Sequence, residues 1–184
     1  MDKAPKSLRL QIGIFGRTNV GKSSFLNMIA GQDVAITSPV PGTTTDVVEK
    51  TMELLPIGPV VFLDTGGLDD RSVLAEQRIQ RTRRVFDRAD VIVLVTEAGA
   101  WTDLEESICG EARSRKTPLM IVVNKKDLQV PETGFLEKIR AYSERVLVCS
   151  SVDPATREAA VNALKAHLLA VCPDDFLRPP ALIG

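Results

Sequence analysis

The stretch "LRLQIGIFGRTNVGKSSFLNMIAG", Leu8 to Gly31, joins an apolar run, a glycine-containing turn and a helical pattern in that order. The run 8–15 alternates apolar and other residues and predicts a strand, and 22–30 predicts a helix. Gly31 suits the C-terminal cap of that helix. Between them, "GRTNVGKSS" fits the pattern G-x-x-x-x-G-K-S/T. A strand, this loop and a helix together form a unit that binds phosphate groups.

The residue types in this loop suit the phosphates of a nucleotide. Gly16 and Gly21 let the backbone N–H groups converge on phosphate oxygens. Lys22 would neutralise charge on the β- and γ-phosphates, and the Ser23 hydroxyl would reach Mg²⁺. The alternative, a chance glycine-rich turn, applies only if the motif stands alone. The candidate phosphate-binding residues are Asn19, Val20, Gly21, Lys22, Ser23 and Ser24.

The rest of the chain alternates short β-branched runs with longer segments of helical period, a pattern typical of a mostly parallel sheet covered on both faces. Only "LPIG" separates 47–54 from 59–64, too short for a crossover, so those two strands must form a hairpin. We therefore expect an α/β fold with a six-stranded, mostly parallel sheet and one antiparallel strand. The predicted strands are 8–15, 47–54, 59–64, 90–96, 119–124 and 145–150, and the predicted helices are 22–30, 73–88, 102–115, 132–142 and 154–171.

Composition limits the class of protein. The 184 residues, 44% of them hydrophobic, suffice for one core, and the net charge of −1 gives no general attraction to nucleic acid or a membrane. Three cysteines without paired spacing suggest reduced thiols, so we expect a cytoplasmic location. We expect one domain over 1–171. The proline-rich 172–184 would be a linker to domains absent from this chain; the alternative is a short tail packed on the domain.

A second motif, "NKKD", ends the strand 119–124, where open α/β sheets bind ligands. Asp127 can accept hydrogen bonds from guanine N1–H and its 2-amino group, donors that adenine lacks. Asn124 would brace the loop, and the stem of Lys125 would cover the base. Backbone N–H groups at Ser150 and Ser151, a weaker signal, could meet the guanine O6. Because this motif follows a phosphate loop, a guanine site that binds GTP is a better interpretation than a surface turn.

Two further segments could sense the γ-phosphate. "SPVPGTTTD", Ser38 to Asp46, offers several threonines, one of which could bind Mg²⁺, and chemistry alone does not choose among them. "DTGGLDD" follows the strand 59–64: Asp64 would hold the metal through water, and the Gly67 N–H would meet the γ-phosphate. Leu68 stands where many GTP-hydrolysing switches use Gln to orient water. It cannot polarise water, and the downstream carboxylates are assigned no role, so we expect slow hydrolysis.

Together these motifs resemble the branch of P-loop GTPases that contains Era, EngA and MnmE. "PGTTTD" is similar to the P-G-T-T-R-D switch of that branch, with Thr45 replacing the arginine, and "DTGG" departs from the usual D-T-A-G. The segment "PGTTTDVVEKTMELLPIGPVVFLDTGGLDD" and the terminal "PPALIG" are more similar to the HydF family, the GTPases of FeFe-hydrogenase maturation. The resemblance covers almost the whole chain and implies the Ras-like P-loop GTPase fold.

The resemblance also implies how hydrolysis could proceed without Gln. In MnmE-like GTPases an Asn at the position of Asn19 helps to bind K⁺ beside the β–γ bridge, where the cation stands in for an arginine finger. The remaining K⁺ ligands would be Ser38, the Val40 carbonyl and Thr43. Thr44 then falls at the Mg²⁺ position. The alternative for Asn19 is a turn residue with no cation. The implied nucleotide-binding and catalytic residues include Lys22, Asn19, Thr43, Thr44, Asp64 and Gly67.

Three functions remain open. The HydF resemblance implies a GTP-dependent switch in H-cluster assembly, with radical-SAM maturation enzymes and hydrogenase as partners and a homodimer formed mainly by absent domains. One His and three scattered Cys do not make that family's cluster site, so we expect no iron–sulfur cluster here. The second function is a ribosome- or tRNA-associated GTPase of the Era, EngA and MnmE group. The third is a GTP-gated interaction module whose hydrolysis is incidental.

Overall fold

A computed structural model of the chain describes residues 9–31, 35–37 and 47–171, with only the backbone described for 35–37. These ranges contain seven strands and five α-helices, which alternate except where β2, β3 and β4 follow one another. The strands are β1 Leu10–Gly16, β2 Ala35–Thr37, β3 Val48–Leu54, β4 Gly58–Asp64, β5 Val91–Glu97, β6 Leu119–Asn124 and β7 Val146–Val148. The helices are α1 Lys22–Ala30, α2 Ala75–Arg88, α3 Asp103–Arg115, α4 Thr133–Arg140 and α5 Arg157–Val171, and a short 3₁₀ helix, Pro154–Thr156, precedes α5.

The strands form one sheet in the order β2-β3-β4-β1-β5-β6-β7. Pairs β1–β4, β1–β5, β5–β6 and β6–β7 are parallel, whereas β3 runs antiparallel to both β4 and β2. The predicted mostly parallel sheet with one antiparallel strand is therefore confirmed. The six predicted strands are all present, and the described sheet gains a seventh, β2, at its edge. Its three residues are too few to show a period of two in the sequence.

Two apolar layers cover the two faces of the sheet. Phe25 of α1 and Leu164 of α5 are fully buried on one face, against a cluster that includes Ile12 of β1. On the other face, Ile108 of α3 and Ile139 of α4 pack in a second cluster. This two-sided burial explains why the central strands read as continuous apolar runs.

Gly13 allows α2 to approach the sheet closely. A Cβ atom at this position would lie 2.6 Å from Cγ1 of Val85 and 2.7 Å from Cδ1 of Ile92. These are closer than atoms can approach without displacement, so a larger residue here would push the C-terminal end of α2 off β1. None of the helices in the described ranges is both long and apolar enough to cross a membrane.

The topology brings the motifs to one edge of the sheet. Gly16 ends β1, Asp64 ends β4 and Asn124 ends β6, and these parallel strands all present their carboxyl ends at that edge. The edge is the usual ligand-binding position in open α/β sheets. Segments far apart in the sequence therefore meet there to form the candidate site.

Candidate functional site

The loop between β1 and α1 has the backbone conformation of a phosphate-binding turn. Asn19 adopts a φ of 66° and Gly21 a φ of 92°, both in the left-handed region. A Cβ atom at Gly21 would lie 2.4 Å from Nδ2 of Asn124, so only glycine fits between this loop and β6. The loop borders a cavity of about 540 Å³ that also reaches Asp64 and Asp127, large enough for a nucleotide.

Lys22 is nearly buried and links the phosphate loop to the segment after β4. Its Nζ donates to Oδ1 of Asp64 at 2.7 Å and to the carbonyl oxygen of Gly66 at 2.6 Å. Burial opposes ionisation of Asp64, but the Lys22 ammonium, the Gly66 N–H and Lys50 together outweigh it, so the pKa of Asp64 lies below its usual value. The carboxylate therefore stays charged at neutral pH.

Lys50 of β3 is a member of the site that the sequence analysis missed. Its Nζ lies 3.1 Å from Oδ2 of Asp64. Lys50 pairs with Phe62 in the hairpin, two residues before Asp64, and the strand period of two places Lys50 and Asp64 on the same face. The charge of Lys50 within the predicted strand 47–54 was the available signal, but only the hairpin register shows which carboxylate Lys50 meets.

The donor atoms at this end of the cavity suit Mg²⁺. Ser23 and Asp64 both border the cavity and offer a hydroxyl and a carboxylate, oxygen ligands that Mg²⁺ prefers. The residues present therefore fit the metal that GTPases use. The ammonium groups of Lys22 and Lys50 would compete with Mg²⁺ for the Asp64 charge.

Asn124 braces the phosphate loop from β6, as the sequence analysis expected. It is 1% exposed, and its Nδ2 donates to the Val20 carbonyl at 3.1 Å and to Oγ of Ser151 at 3.0 Å. Its Oδ1 accepts the Ser151 N–H at 3.0 Å. This one amide thus holds together the phosphate loop and the segment after β7.

The candidate base-recognition residues lie beside this brace. The exposed Asp127 accepts a hydrogen bond from Oγ of Ser150 at 2.7 Å, which orients its carboxylate. Lys125 donates to the Asn19 carbonyl at 2.5 Å and pairs with Glu97 at 3.0 Å. The structure therefore brings Lys125, Asp127, Ser150 and Ser151 to the same end of the site as Asn19.

The segment after β4 is attached directly to the phosphate loop. A Cβ atom at Gly67 would lie 2.3 Å from Oγ1 of Thr18, and the Leu68 N–H donates to the Gly16 carbonyl at 2.9 Å. The Thr18 N–H donates to Oδ1 of Asp69 at 2.6 Å. That hydrogen bond holds the pKa of Asp69 below its usual value. Glycine at 67 is therefore required by close approach as well as by any phosphate contact.

The side chain of Leu68 faces away from the phosphate loop. It borders a different cavity, together with Leu104 and Ile108 of α3, and packs against the second core cluster. Its place in the chain matches that of the water-orienting Gln in other switches, but its side chain serves packing. Leu68 is thus a structural residue here.

Arg17 connects the phosphate loop to the start of α3, a link that the sequence analysis did not foresee. Its Nε lies 2.5 Å from Oε1 of Glu105, which is 1% exposed, and it also donates to the Thr102 hydroxyl. Glu105 in turn accepts the Thr102 N–H at 2.9 Å and completes a capping box. Burial opposes ionisation of Glu105, but the hydrogen bonds from Arg17 and Thr102 together outweigh it and keep the pKa of Glu105 below its usual value.

Four of the predicted residues lie outside the described ranges: Ser38, Val40, Thr43 and Thr44. The proposed linker 172–184 lies outside them as well. Of the predicted K⁺ ligands, Asn19 is described, and it is exposed beside the cavity.

Known proteins are similar to this chain in both sequence and fold. A family model described as 50S ribosome-binding GTPase matches residues 11–125. The tRNA modification GTPase MnmE of Synechococcus sp. (strain JA-2-3B'a(2-13)) is 45% identical over 125 residues, 67% of this chain and 27% of that protein. GTPase Der of Wolinella succinogenes is 34% identical over 142 residues, 75% of this chain and 30% of its own. The chain thus spans about a quarter to a third of these relatives.

Solved structures of other proteins have a similar fold. Era of Aquifex aeolicus bound to GDP·AlF₄⁻ has a TM-score of 0.69 at 25% identity, covering 95% of this chain and 59% of that one. The G domain of the FeoB iron transporter from T. maritima has a TM-score of 0.64 at 18% identity, covering 90% and 99% respectively. The fold is that of the Ras-like P-loop GTPases, and the chain belongs to the 50S ribosome-binding GTPase family as a GTP-binding, GTP-hydrolysing domain.

Proposed function

We propose that this domain is a nucleotide-dependent switch that binds GTP with Mg²⁺ and hydrolyses it slowly. The observation that carries the proposal is the double contact of Lys22 with Asp64 and with the Gly66 carbonyl. Both partners belong to the segment that would sense the γ-phosphate. Because phosphate oxygens would compete for the same ammonium group, the presence of the γ-phosphate would alter the hold on that segment.

Nucleotide binding would divide among three groups of residues. The N–H groups of the loop 16–23 and the Lys22 ammonium would hold the phosphates, and Asp127, oriented by Ser150, would accept the guanine hydrogen bonds. Ser23 and Asp64, with Thr44, would hold Mg²⁺. When bound, the metal would neutralise charge on the β- and γ-phosphate oxygens.

The slow rate follows from what the segment after β4 lacks. The Gly67 N–H would donate to the γ-phosphate, but the neighbouring Leu68 is packed towards α3 and cannot position water. Potassium would supply part of the missing stabilisation, with Asn19, Ser38, the Val40 carbonyl and Thr43 as ligands. The role of Asn19 as a K⁺ ligand is supported by its place on the cavity wall and by the hydrogen bond from Lys125 that anchors its carbonyl.

Phosphate release tests the biochemical proposal. We expect turnover of GTP that requires Mg²⁺ and a much lower turnover of ATP, because Asp127 would face a lone pair of adenine. Lys22→Ala should lower turnover by about 100-fold or more, since it removes a charge contact to the reacting phosphate. Comparable turnover of GTP and ATP would contradict the assignment of Asp127.

For the cellular process, the comparisons favour a ribosome- or tRNA-associated GTPase. The relatives with 45% and 34% identity are named MnmE and Der, and one solved Era structure is a complex with 16S ribosomal RNA. We propose that the domain is the switch of a cytoplasmic protein of this group. Any RNA-binding module would lie outside the described domain, because the net charge of this chain is −1.

A second process, FeFe-hydrogenase maturation, is favoured by a specific segment. The run from Pro41 to Asp70 resembles the HydF family beyond the nucleotide motifs that all of these GTPases have in common. Its described part contains the β3–β4 hairpin that carries Lys50. In this reading the partners would be radical-SAM maturation enzymes and hydrogenase.

Stimulation of turnover separates the two processes. The GTP hydrolysis rate of the whole protein, with every domain that it carries, would be measured with bulk tRNA, with isolated ribosomal subunits and with the radical-SAM maturation enzymes. The RNA-associated proposal predicts a change with tRNA or ribosomal subunits only, and the maturation proposal predicts a change with the maturation enzymes only. If single-turnover rates are the same in every case, hydrolysis is incidental and the domain is a GTP-gated interaction module.

A further inference from the structure

The helix α2 is packed on the domain only at its C-terminal end. Its buried residues are Val85 and Phe86, although the helix begins at Ala75. The first turns of α2 therefore stand away from α3, and a cavity of about 360 Å³ lies between the two helices. We call this cavity the α2–α3 groove. Its volume falls within the range of ligand pockets, although no part of it belongs to the base-recognition site.

Apolar side chains line the groove. Leu68, Leu104 and Ile108 border it, and Ile79 borders it from α2 with 52% of its surface exposed. A single exposed apolar residue is common, but one that borders a concave apolar surface is typical of a binding site.

The apolar groove has a cationic margin. The segment 71–88 contains six arginines and two acidic residues, whereas the net charge of the whole chain is −1. Arg78 and Arg83 border the groove from α2. The acidic residue on the opposite wall, Glu111, is paired with Arg115 at 2.6 Å. The margin is therefore strongly positive.

We propose that the α2–α3 groove binds an acidic amphipathic helix of a partner protein. The apolar face of such a helix would cover Ile79 and Leu104, and its carboxylates would meet Arg78 and Arg83. Helix-in-groove recognition uses apolar anchors spaced along one helix face, and complementary charges around the margin direct docking. An acidic protein segment fits the groove better than RNA does, because no aromatic side chain is among the described residues that line it for base stacking.

The groove is connected to the nucleotide site through the segment after β4. Thr65, Gly67 and Leu68 border it, and the same segment is bonded to the phosphate loop through the Leu68 N–H and the Gly16 carbonyl. A shift of this segment would change the shape of the groove. The affinity for the helix should therefore differ between the GDP-bound and GTP-bound domain, and by linkage the helix should change nucleotide affinity by the same factor. This inference does not depend on which of the two processes the domain serves.

Binding of a designed peptide tests the proposal. The probe is a fluorescein-labelled peptide of about four helical turns, with leucine at i, i+3, i+4 and i+7 spacing and glutamate on the other face. Fluorescence anisotropy would be measured with the 184-residue chain loaded with GDP or with a non-hydrolysable GTP analogue. A scrambled peptide of the same composition and a single-stranded RNA of equal charge serve as competing probes.

The variants separate apolar docking from general charge attraction. We expect Arg78→Glu with Arg83→Glu to weaken binding by about tenfold or more, and Ile79→Ser to weaken it with no change in charge. The matched control is Lys138→Glu with Arg140→Glu on α4, which makes the same charge change on exposed residues that do not line the groove and should have little effect. Since all of these residues lie at or near the surface, unaltered thermal unfolding is expected.

Four results would overturn the proposal. The first is that the scrambled peptide binds as tightly as the helical one, and the second is that the α4 control loses as much binding as the Arg78→Glu, Arg83→Glu variant. The third is that Ile79→Ser and the charge-reversed variant both keep binding. The fourth is that RNA displaces the labelled peptide at a lower concentration than the unlabelled peptide does. Equal affinity of the two nucleotide forms would overturn the coupling. Preferred binding of the helical peptide, lost in both groove variants and dependent on the nucleotide, would support it.

Discussion

The Nζ of Lys22 lies 2.7 Å from Oδ1 of Asp64, while Lys50 lies 3.1 Å from the other oxygen of the same carboxylate. All three side chains are nearly buried, with exposed fractions of 8%, 12% and 11% for Lys22, Lys50 and Asp64. One negative charge therefore offsets two positive charges in a region of low dielectric. Loss of that carboxylate would leave two buried ammonium groups without a counter-ion.

Asp64→Asn should lower the free energy of unfolding by about 3 kcal/mol at neutral pH, because removal of one partner of a buried ion pair leaves the other uncompensated. The pKa of Asp64 in the folded protein lies below its usual value. The contribution of Asp64 to the free energy of unfolding is thus fully present above its pKa in the unfolded chain, about 3.9. It is lost as the pH falls through the pKa of Asp64 in the folded protein. Urea unfolding of both proteins between neutral and acidic pH measures this.

Asp103→Asn is the matched control for that experiment. Asp103 lies in the first turn of α3 and is exposed, so its removal should cost about 0.5 kcal/mol. If the difference between Asp64→Asn and the unsubstituted protein did not shrink as the pH was lowered, the ion-pair explanation would be wrong.

The phosphate loop and the base-recognition motif could be predicted because their geometry is local. Lys22 follows a glycine turn and opens a helix, and Asn124 ends a strand, so chain order and strand direction were enough to place them. The contacts with Lys50 and Arg17 could not be predicted. The first depends on the register of the β3–β4 hairpin, and Arg17 meets Glu105 across 88 residues of sequence. Sequence periodicity assigns a residue to a face and does not identify its neighbour.

The role of Leu68 shows the same limit in another way. The sequence indicates that a water-orienting Gln is missing, and hence slow hydrolysis. Only the structure shows that the Leu68 side chain packs elsewhere, against the second core cluster beside α3. The extra edge strand β2 was missed because three residues carry too little pattern.

Leu68→Gln should change the GTP hydrolysis rate by less than about twofold, whereas a correctly placed general base or water-orienting group contributes roughly 100-fold or more. The side chain faces the α2–α3 groove, so an amide there would not reach the phosphates. The substitution should also cost about 1 kcal/mol of stability through lost apolar contact. Phosphate release and thermal unfolding measure the two effects. Leu68→Met, which keeps the packing, is the control, and a large rate increase in Leu68→Gln alone would refute the packing role.

Asp127→Asn should lower GTP affinity by about 100-fold or more, since two hydrogen bonds to a charged acceptor are lost. The amide can instead donate to the C2 carbonyl of xanthine and accept from its N1–H, so affinity for xanthosine triphosphate should rise. Isothermal titration with both nucleotides measures the exchange of preference. Ser150→Ala is a useful companion, because it removes only the hydroxyl that orients Asp127 and should weaken GTP binding more mildly. A parallel loss for both nucleotides in Asp127→Asn would speak against direct base contact.

Arg17 and Glu105 should be energetically coupled by about 1–2 kcal/mol, since they touch and Glu105 is buried. Glu105→Gln, Arg17→Met and the double variant form a cycle whose unfolding free energies give the coupling. Because the pair ties the phosphate loop to α3, both single variants should also weaken nucleotide binding. Additive single-variant effects would show that the contact contributes nothing beyond the two side chains taken separately. Arg115→Met, which breaks two more exposed pairs, with Asp87 and with Glu111, is the control and should cost less.

Potassium activation can be tested at Asn19 in a way that separates cation binding from backbone strain. Asn19 has a φ of 66°, a conformation that Asn and Gly adopt readily and that Ala does not. Asn19→Gly therefore keeps the turn and removes the side-chain oxygen, whereas Asn19→Ala removes the oxygen and adds strain. If Asn19 is a K⁺ ligand, turnover should be about tenfold or more faster in KCl than in NaCl, and Asn19→Gly should abolish that ratio. If Asn19 serves only the turn, Asn19→Gly should keep the ratio of turnover in KCl to turnover in NaCl, and Asn19→Ala should lose stability. Equal K⁺ responses of Asn19→Gly and the unsubstituted domain would therefore exclude Asn19 as a ligand.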